Sequence, residues 1–333
     1  MVKWFDIKLF GVKLFDIIAN SFVIRIDMLN IIINSCKYSS YLTDYKLIIR
    51  GEMIMGKIKI YRNVAKLNNI DMFYLDTKTE GPTILCLHGM YGRAETWGDF
   101  INYYGEQFRV VAPDQRGHGL SSKPISKYTS EEMAEDVIQL LDFLKIDLVI
   151  LVGHSMGGSV AGYLAAVYPK VVKAVAILDK SAAGHEESNK LLLNKGELSD
   201  TVTKDWPMPF ATLDEAMDFI KQASESDLEY QYFMKSLVET VKGYKMMFST
   251  KAMAIIRVNF DNWFDLLPSI KCLAMLVRSS SHEGVSDKDF AKMQSLVSNC
   301  IAYEMSHPDH NVHLANKEEF YEYFDEFLKR IIQ

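Results

Sequence analysis

Short apolar runs alternate with amphipathic segments through most of the chain after residue 57. Eight runs have the length and composition of strands, at 58–64, 70–75, 83–87, 108–112, 148–152, 172–178, 272–277 and 300–305. The first two flank Asn68 and Asn69, which predicts an antiparallel hairpin. Helical periods follow between later runs, including 130–144, and an amphipathic helix is predicted over 317–331. Apolar strands separated by helices are typical of a parallel sheet covered on both faces. We therefore expect an α/β fold with a mostly parallel, eight-stranded sheet flanked by helices.

The strand pattern is interrupted between residues 183 and 267, where the sequence becomes helical and rich in Met and aromatic residues. Helices are predicted there over 213–222, 227–241 and 251–258. The interruption indicates a helical cap at 183–267, inserted into a core made of residues 56–182 and 268–333.

The N-terminal extension, residues 1–55, differs in composition from the rest. Its apolar run 17–33 is interrupted by polar residues, which makes it too polar for a transmembrane helix, and no signal-peptide pattern is clear. Three interpretations stay open: a peripheral amphipathic helix, an extra helix packed on the domain, or a segment upstream of a start at Met53 or Met55. Contact of residues 1–50 with a membrane surface is one option.

Composition narrows the class of partner. The 333 residues are 49% hydrophobic, and the net charge is -6 with no long basic run, which argues against nucleic-acid binding. A small acyl substrate fits better. The four cysteines are far apart and lack metal-type spacing, which favours reduced thiols and a cytoplasmic location. The oligomeric state is not predicted.

The segment GHSMGG at 153–158 follows an apolar strand and precedes a predicted helix. A serine reacts as a nucleophile only when it stands clear of the backbone beside a base, and a sharp strand-to-helix turn gives that exposure. Glycines two residues to either side of Ser155 leave room for the turn. We interpret Ser155 as the nucleophile of such an elbow.

Acyl transfer at Ser155 also needs donors for the oxyanion. The backbone N–H of Met156, at the start of the helix, is one candidate. The strand ending at Leu87 leads into HGMYG at 88–92, whose small residues allow the N–H of Met90 to point at the same place.

Three motifs resemble those of the α/β-hydrolase fold superfamily, in its serine-nucleophile branch of esterases, lactonases and carbon–carbon bond hydrolases. They are HGMYG at 88–92, DQRGHGLS at 114–121 and GHSMGG at 153–158, and the resemblance covers about residues 57–333. It implies a catalytic triad and a reaction without metal or organic cofactor. The segment 114–121 resembles a bracing loop of that fold, for which a structural role is favoured over substrate contact.

The resemblance also implies a histidine that acts as the triad base and a carboxylate that acts as the triad acid. His310, after the last strand and before the closing helix, stands where the fold's triad histidine lies, and His313 is the fallback. A metal cluster around His310 is disfavoured because Pro308 interrupts helical presentation. The acid is less clear: the loop after the penultimate strand has no carboxylate where many relatives carry one. Asp179, at the end of the strand after the elbow helix, is preferred to Glu283.

We expect His88, Gly89 and His154, as neighbours of Ser155, and Trp206 in the cap to contact the substrate, although aromatic residues at such spacing are often cap core. The main hypothesis is a serine hydrolase, carboxylesterase-like, that cleaves an ester, thioester or lactone through an acyl-enzyme on Ser155. A carbon–carbon bond hydrolase or acyltransferase on the same triad, or a non-catalytic ligand-binding member of the fold, stays open.

Overall fold

The computed structural model describes residues 58–184 and 200–332. The N-terminal extension and residues 185–199 of the expected cap lie outside these ranges. The interpretations placed on them, including membrane-surface contact, stay predictions. In the part that is described, no helix is both long and apolar enough to span a lipid bilayer.

A mixed sheet of eight strands forms the core, as the alternating pattern predicts. The sheet strands are Tyr61–Lys66 (β1), Asp71–Asp76 (β2), Thr83–Leu87 (β3), Arg109–Pro113 (β4), Val149–His154 (β5), Val172–Leu178 (β6), Leu273–Arg278 (β9) and Cys300–Glu304 (β10). Their order is β1-β2-β4-β3-β5-β6-β9-β10. Strand β2 pairs antiparallel with β1 and with β4, and the other pairs are parallel. The predicted hairpin and mostly parallel sheet are confirmed.

Helices cover both faces of this sheet. Those of the core are Gly98–Tyr104 (α1), Ser130–Leu144 (α2), Met156–Val167 (α3), Asp287–Leu296 (α7), Val312–Ala315 (α8) and Lys317–Ile332 (α9). One buried cluster includes Val137 of α2 and Val160 of α3, and the other includes Phe100 of α1 and Phe324 of α9. Every residue of the central strands β3 and β5 is therefore buried, which explains their uninterrupted apolar runs.

The insertion between β6 and β9 contains a β-hairpin as well as helices. Its described elements are Leu213–Ala223 (α4), Asp227–Met234 (α5), Leu237–Thr240 (β7), Gly243–Met246 (β8) and Thr250–Val258 (α6). The predicted helix 227–241 was wrong at its end, because it stops at Met234 and β7 follows. Two physical reasons apply: Val238 and Thr240 are β-branched, and Gly243 takes φ +113 at the turn.

Candidate active site

Ser155 occupies a strained turn between β5 and α3. Its backbone has φ +52 and ψ -116, an unusual conformation for a residue with a side chain. The turn is held at both ends, because the Ser155 N–H donates to the Leu178 carbonyl at 2.9 Å and its own carbonyl accepts from the Gly158 N–H at 2.8 Å. The side chain is half-buried at the carboxyl edge of the sheet. This is the elbow geometry that the segment 153–158 predicts.

The glycines on either side of Ser155 are required by close backbone contacts. A Cβ at Gly153 would lie 2.2 Å from the Gly157 carbonyl oxygen, and one at Gly157 would lie 2.3 Å from that of Leu87. Side chains at these positions would separate β5, α3 and the end of β3. Because Gly153 and Gly157 have no Cβ atoms, the elbow can pack closely against the loop that follows β3.

A histidine and an aspartate from distant parts of the chain meet beside the elbow. Asp179 Oδ2 lies 2.7 Å from His310 Nδ1, and the Asp179 side chain is fully buried, whereas that of His310 is 47% exposed. The Ser155 N–H donates to the carbonyl of Leu178, the last residue of β6, and Asp179 follows directly. A second link joins His310 to the elbow, since its carbonyl accepts from His154 Nε2 at 2.8 Å.

Hydrogen-bond donors hold Asp179 in its ionised form. Burial alone would raise the pKa of Asp179, but the bond from His310, and after it the bond from the Ser279 N–H, bring the pKa below its usual value. Ser279 donates from its backbone N–H to Oδ1 at 2.9 Å and from Oγ to Oδ2 at 3.2 Å. Gly284 leaves room for the carboxylate, because a Cβ there would lie 2.5 Å from Asp179 Oδ2. The group is therefore a charged acceptor at neutral pH.

The alternative acid and the fallback base lie in different surroundings. Glu283 is exposed at the surface. His313 is buried, its ring stacks on Trp97 at 4.4 Å, and burial, then Lys235, lowers its pKa to about 3. Neither ring nitrogen of His313 has a hydrogen-bond partner within the described residues. A base must exchange protons near neutral pH, so this environment does not suit His313 to the role.

The two loops expected to carry the oxyanion donors are in contact. The loop after β3 turns through a bond from the Gly92 N–H to the Gly89 carbonyl at 3.2 Å. A Cβ at Gly89 would lie 2.8 Å from His154 Nδ1 of the elbow. Met156 is the first residue of α3, and the N–H groups of a first helical turn have no acceptor within the helix. The loop that carries Met90 therefore packs against the elbow that precedes Met156.

The two motif histidines expected at the substrate are buried braces. His88 Nε2 accepts from the Gln115 N–H at 2.9 Å and its Nδ1 contacts the Gly89 carbonyl, so both ring nitrogens are occupied. Burial lowers the pKa of His88 to about 4. His154 Nε2 donates to the His310 carbonyl. Burial, and after it His313, holds the pKa of His154 well below its usual value. These contacts correct the expectation of substrate binding by His88, because its side chain has no free polar edge.

The cap packs against the same loop after β3. Tyr91, with φ +66, sends its hydroxyl to Asp200 Oδ1 at 2.8 Å and accepts from Arg257 Nη2 at 2.8 Å. Ser236 Oγ donates to the Tyr91 carbonyl at 2.6 Å. Trp206 contacts the rings of Phe219 and Phe233 within the cap, which is the core role the composition allowed. The cap therefore fixes the loop that carries Met90.

The segment 114–121 braces the core. Arg116 is buried and makes two bonds to Asp136 of α2, at 2.5 and 2.6 Å. Asp114 accepts from the Ala94 N–H at 2.6 Å and the Leu120 N–H at 2.7 Å. These bonds favour the structural role. Across 58–184 and 200–332, no group of three His, Cys, Asp or Glu side chains is arranged to hold a metal ion.

Sequence reasoning missed the residues that support the acid and the cap. Ser279 follows β9, where a carboxylate was sought, and instead donates to Asp179 of the adjacent strand. Its position at the end of a strand beside β6 was the available signal. Tyr91 and Tyr232 had none, because only the folded chain shows that the Tyr91 side chain leaves this loop for the cap and that Tyr232 of the cap contacts it. A Cβ at Gly92 would lie 2.1 Å from the Tyr232 hydroxyl.

Comparison with known proteins supports the topology. A sequence model of the alpha/beta hydrolase fold matches residues 82–240. A serine hydrolase-like protein of Danio rerio is 27% identical over 272 residues, which are 75% of this chain and 82% of that protein. Several other relatives match over less than half of their own length.

Solved structures agree in fold. The crystal structure of E-2-(acetamidomethylene)succinate hydrolase superposes with a TM-score of 0.69 at 22% identity, covering 81% of this chain and 100% of that one. The enol-lactonase of Burkholderia xenovorans gives a TM-score of 0.63 at 18% identity, covering 80% and 100%. With the sheet order and the strained turn at Ser155, these matches lead to one assignment. The chain has the alpha/beta hydrolase fold, and its residues 82–240 match the sequence model of that fold.

Proposed function

We propose that this protein is a serine hydrolase that cleaves a carboxylic ester, thioester or lactone through an acyl-enzyme on Ser155. The observation that carries the proposal is the 2.7 Å contact between buried Asp179 and His310, beside a serine held at φ +52. A hydroxyl becomes a nucleophile when a base accepts its proton and a third group orients that base. In this arrangement His310 is the base and Asp179 is the group that orients it.

In the first half-reaction, Ser155 Oγ attacks the substrate carbonyl carbon and His310 takes the hydroxyl proton. The negative charge that develops on the carbonyl oxygen is stabilised by the N–H groups of Met90 and Met156. Asp179 stabilises the imidazolium that forms, because its lowered pKa keeps the carboxylate charged. His310 then gives the proton to the leaving group, the carbon–oxygen or carbon–sulfur bond breaks, and the acyl group stays on Ser155.

In the second half-reaction, water replaces the leaving group. The exposed side of His310, 47% of its side chain, allows a water molecule to approach the imidazole. His310 removes a proton from this water as the hydroxide adds to the acyl carbon. The tetrahedral intermediate then collapses: the bond between the acyl carbon and Ser155 Oγ breaks, His310 returns the proton to Oγ, and the acid is released. These steps use only groups of the chain and water.

A fluorophosphonate probe tests the proposal, because it forms a bond only with an activated serine. We expect labelling of the wild type and none of Ser155→Ala, while Ser159→Ala, a buried serine one helical turn away on α3, is labelled as well as the wild type. A panel of p-nitrophenyl esters, thioesters and lactones then measures turnover. A folded wild type that neither reacts with the probe nor turns over any of these compounds would favour the non-catalytic alternative.

A further inference from the structure

The loop that carries His310 is bonded to the cap as well as to the core. Asp309, the residue before His310, closes a turn around it, because its Oδ1 accepts from the Asn311 N–H at 2.7 Å and from Asn311 Nδ2 at 3.0 Å. The other oxygen of this carboxylate, Oδ2, accepts at 2.7 Å from Ser226 Oγ, which lies in the cap 83 positions earlier in the chain. One carboxylate therefore joins the turn at His310 to the cap.

Ser226 is also the N-cap residue of helix α5. Its Oγ accepts from the Glu229 N–H at 3.1 Å, and its backbone is extended, as is usual for an N-cap. The hydroxyl therefore accepts from the first turn of α5 and donates to Asp309. Ser, Thr, Asp and Asn all serve as N-caps, but an ionised Asp has no hydrogen to donate. Capping alone does not require a donor at position 226, whereas the bond to Asp309 does.

The other end of α5 contacts the loop that carries Met90. Ser236, two residues after the helix, donates from Oγ to the Tyr91 carbonyl at 2.6 Å. Tyr232 of α5 places its hydroxyl beside Gly92, where a Cβ would lie 2.1 Å from it. With eight residues, the helix is about 12 Å long. The His310 loop and the Met90 loop are therefore attached to the two ends of one short helix.

We infer that Ser226 is a positioning residue for ester hydrolysis, because it holds the His310 turn in place through Asp309. The inference rests on the proposed function. The core fixes His310 at two atoms, its Nδ1 by Asp179 and its carbonyl by His154, and the bond from Ser226 fixes the turn from the cap. A base must lie within hydrogen-bond reach of the serine, and a displacement of about 1 Å costs on the order of a hundredfold in rate.

Three substitutions of Ser226 separate positioning from capping. Ser226→Thr keeps both bonds, Ser226→Asp keeps the N-cap but places a second carboxylate against Asp309, and Ser226→Ala removes both. We expect kcat for a p-nitrophenyl ester to stay within about twofold of the wild type in Ser226→Thr and to fall about tenfold or more in the other two. KM should change by less than about threefold, because substrate binding does not use the base. Wild-type turnover by Ser226→Asp would show that Ser226 is only a helix cap, and the inference would be wrong.

Thr212→Ala is the matched control. Thr212 is the N-cap residue of α4, another helix of the cap, and its side chain accepts from the Glu215 N–H at 3.1 Å. The two alanine variants each remove one N-cap bond, so both should lower the urea midpoint. Only Ser226→Ala should lower kcat. An equal loss of kcat in the two variants would overturn the inference, because it would show that weakening a cap helix is enough to slow the reaction.

A double substitution tests whether Ser226 acts through Asp309. In Asp309→Ala the bond from Ser226 is already lost, so the further change Ser226→Ala should alter kcat by less than about twofold. A further loss of about tenfold would mean that Ser226 acts by another route, and would contradict the inference.

Hydrogen exchange separates this inference from a failure of the hydrolase function. The Asn311 N–H is bonded to Asp309, so its exchange rate reports on the turn with or without turnover. We expect this amide to exchange about tenfold faster or more in Ser226→Ala than in the wild type or Thr212→Ala, as measured by NMR. Unchanged exchange would overturn the inference even if esters were hydrolysed. Faster exchange in a protein whose wild type neither hydrolyses an ester nor reacts with the fluorophosphonate would refute the hydrolase function and leave the anchoring of the turn in place.

Discussion

At the scale of single residues, the carboxylate of this site and its hydrogen-bond donors lie at the ends of two adjacent strands. The side chain after β6 provides the charge, and the one after β9 provides the donors: Asp179 accepts from both the N–H and the Oγ of Ser279. Asp179 also has φ +44, a conformation that aspartate tolerates better than most residues. The short Ser279 side chain fits between the strands and completes the hydrogen bonds that a buried carboxylate requires.

Asp179→Asn tests the acid directly. An amide cannot stabilise the imidazolium or enforce the tautomer of His310, so we expect kcat to fall about a thousandfold or more while the fold is kept. Glu283→Gln is the control and should retain wild-type turnover, since Glu283 is exposed. The measurement is steady-state ester hydrolysis. Full activity in Asp179→Asn would remove this residue from the triad.

Gly284→Ala tests how closely the carboxylate is held. The added methyl group would lie 2.5 Å from Asp179 Oδ2, and that oxygen is fixed by His310, so the acid must shift by a fraction of an ångström or more. We expect kcat to fall about ten- to a hundredfold. Gly98→Ala adds a methyl group to α1 with no heavy atom within 4 Å, and activity should not change. Equal activity of the two variants would show that the site adapts to the methyl group.

At the scale of elements, the cap and the loop after β3 form one hydrogen-bonded unit. The Tyr91 side chain leaves the loop and inserts among Asp200, Arg257 and the ring of Phe233, which lies 5.4 Å away. Asp200 is fully buried and also accepts from the N–H and Oγ1 of Thr203. The position of the loop is therefore set by the cap as well as by β3.

Tyr91→Phe removes two of these hydrogen bonds and keeps the ring. The buried Asp200 and the partly exposed Arg257 would each lose a partner, so we expect the free energy of unfolding to fall by about 1–3 kcal/mol. Because the loop carries Met90, we expect kcat to fall, and the factor by which it falls should be severalfold larger than the factor by which KM rises. Urea unfolding and ester kinetics measure the two effects. Tyr61→Phe is the control and should change neither quantity, because Tyr61 is an exposed tyrosine on β1. If Tyr91→Phe left both stability and kcat unchanged, the cap would not set the position of the loop.

The sheet could be predicted from the sequence because burial on both faces leaves a direct trace in composition. The helix α2 was placed at its observed bounds, Ser130–Leu144, since Thr129 caps it through the Glu132 N–H and the apolar period is regular. The hairpin β7–β8 was missed because most of its residues are half-buried, so its two four-residue strands lack the strict alternation of buried and exposed positions that predicts a strand. The acid could be proposed from its place in the sheet, but the hydrogen bonds that it accepts from Ser279 exist only in the folded chain.

At the scale of the whole molecule, the core encloses four histidines among residues 58–184 and 200–332: His88, His118, His154 and His313. Burial lowers the pKa of each one, to about 4 for His88 and about 3 for His313, and well below the usual value for the other two. In the unfolded chain each would titrate near 6.5. Between that value and the folded pKa, the unfolded state binds more protons than the native state, so stability falls as the pH falls.

Acid sensitivity should therefore be a property of the fold and not of catalysis. We expect the free energy of unfolding to drop between pH 7 and pH 5, with about 2 kcal/mol arising from a single histidine that stays neutral in the native state. His313→Phe keeps a ring against Trp97 and removes one titrating group, so its drop should be smaller by about that amount; His307→Gln, at the surface, should behave as the wild type. Urea midpoints at the two pH values measure this. An identical drop in His313→Phe and the wild type would mean that His313 takes up its proton without unfolding.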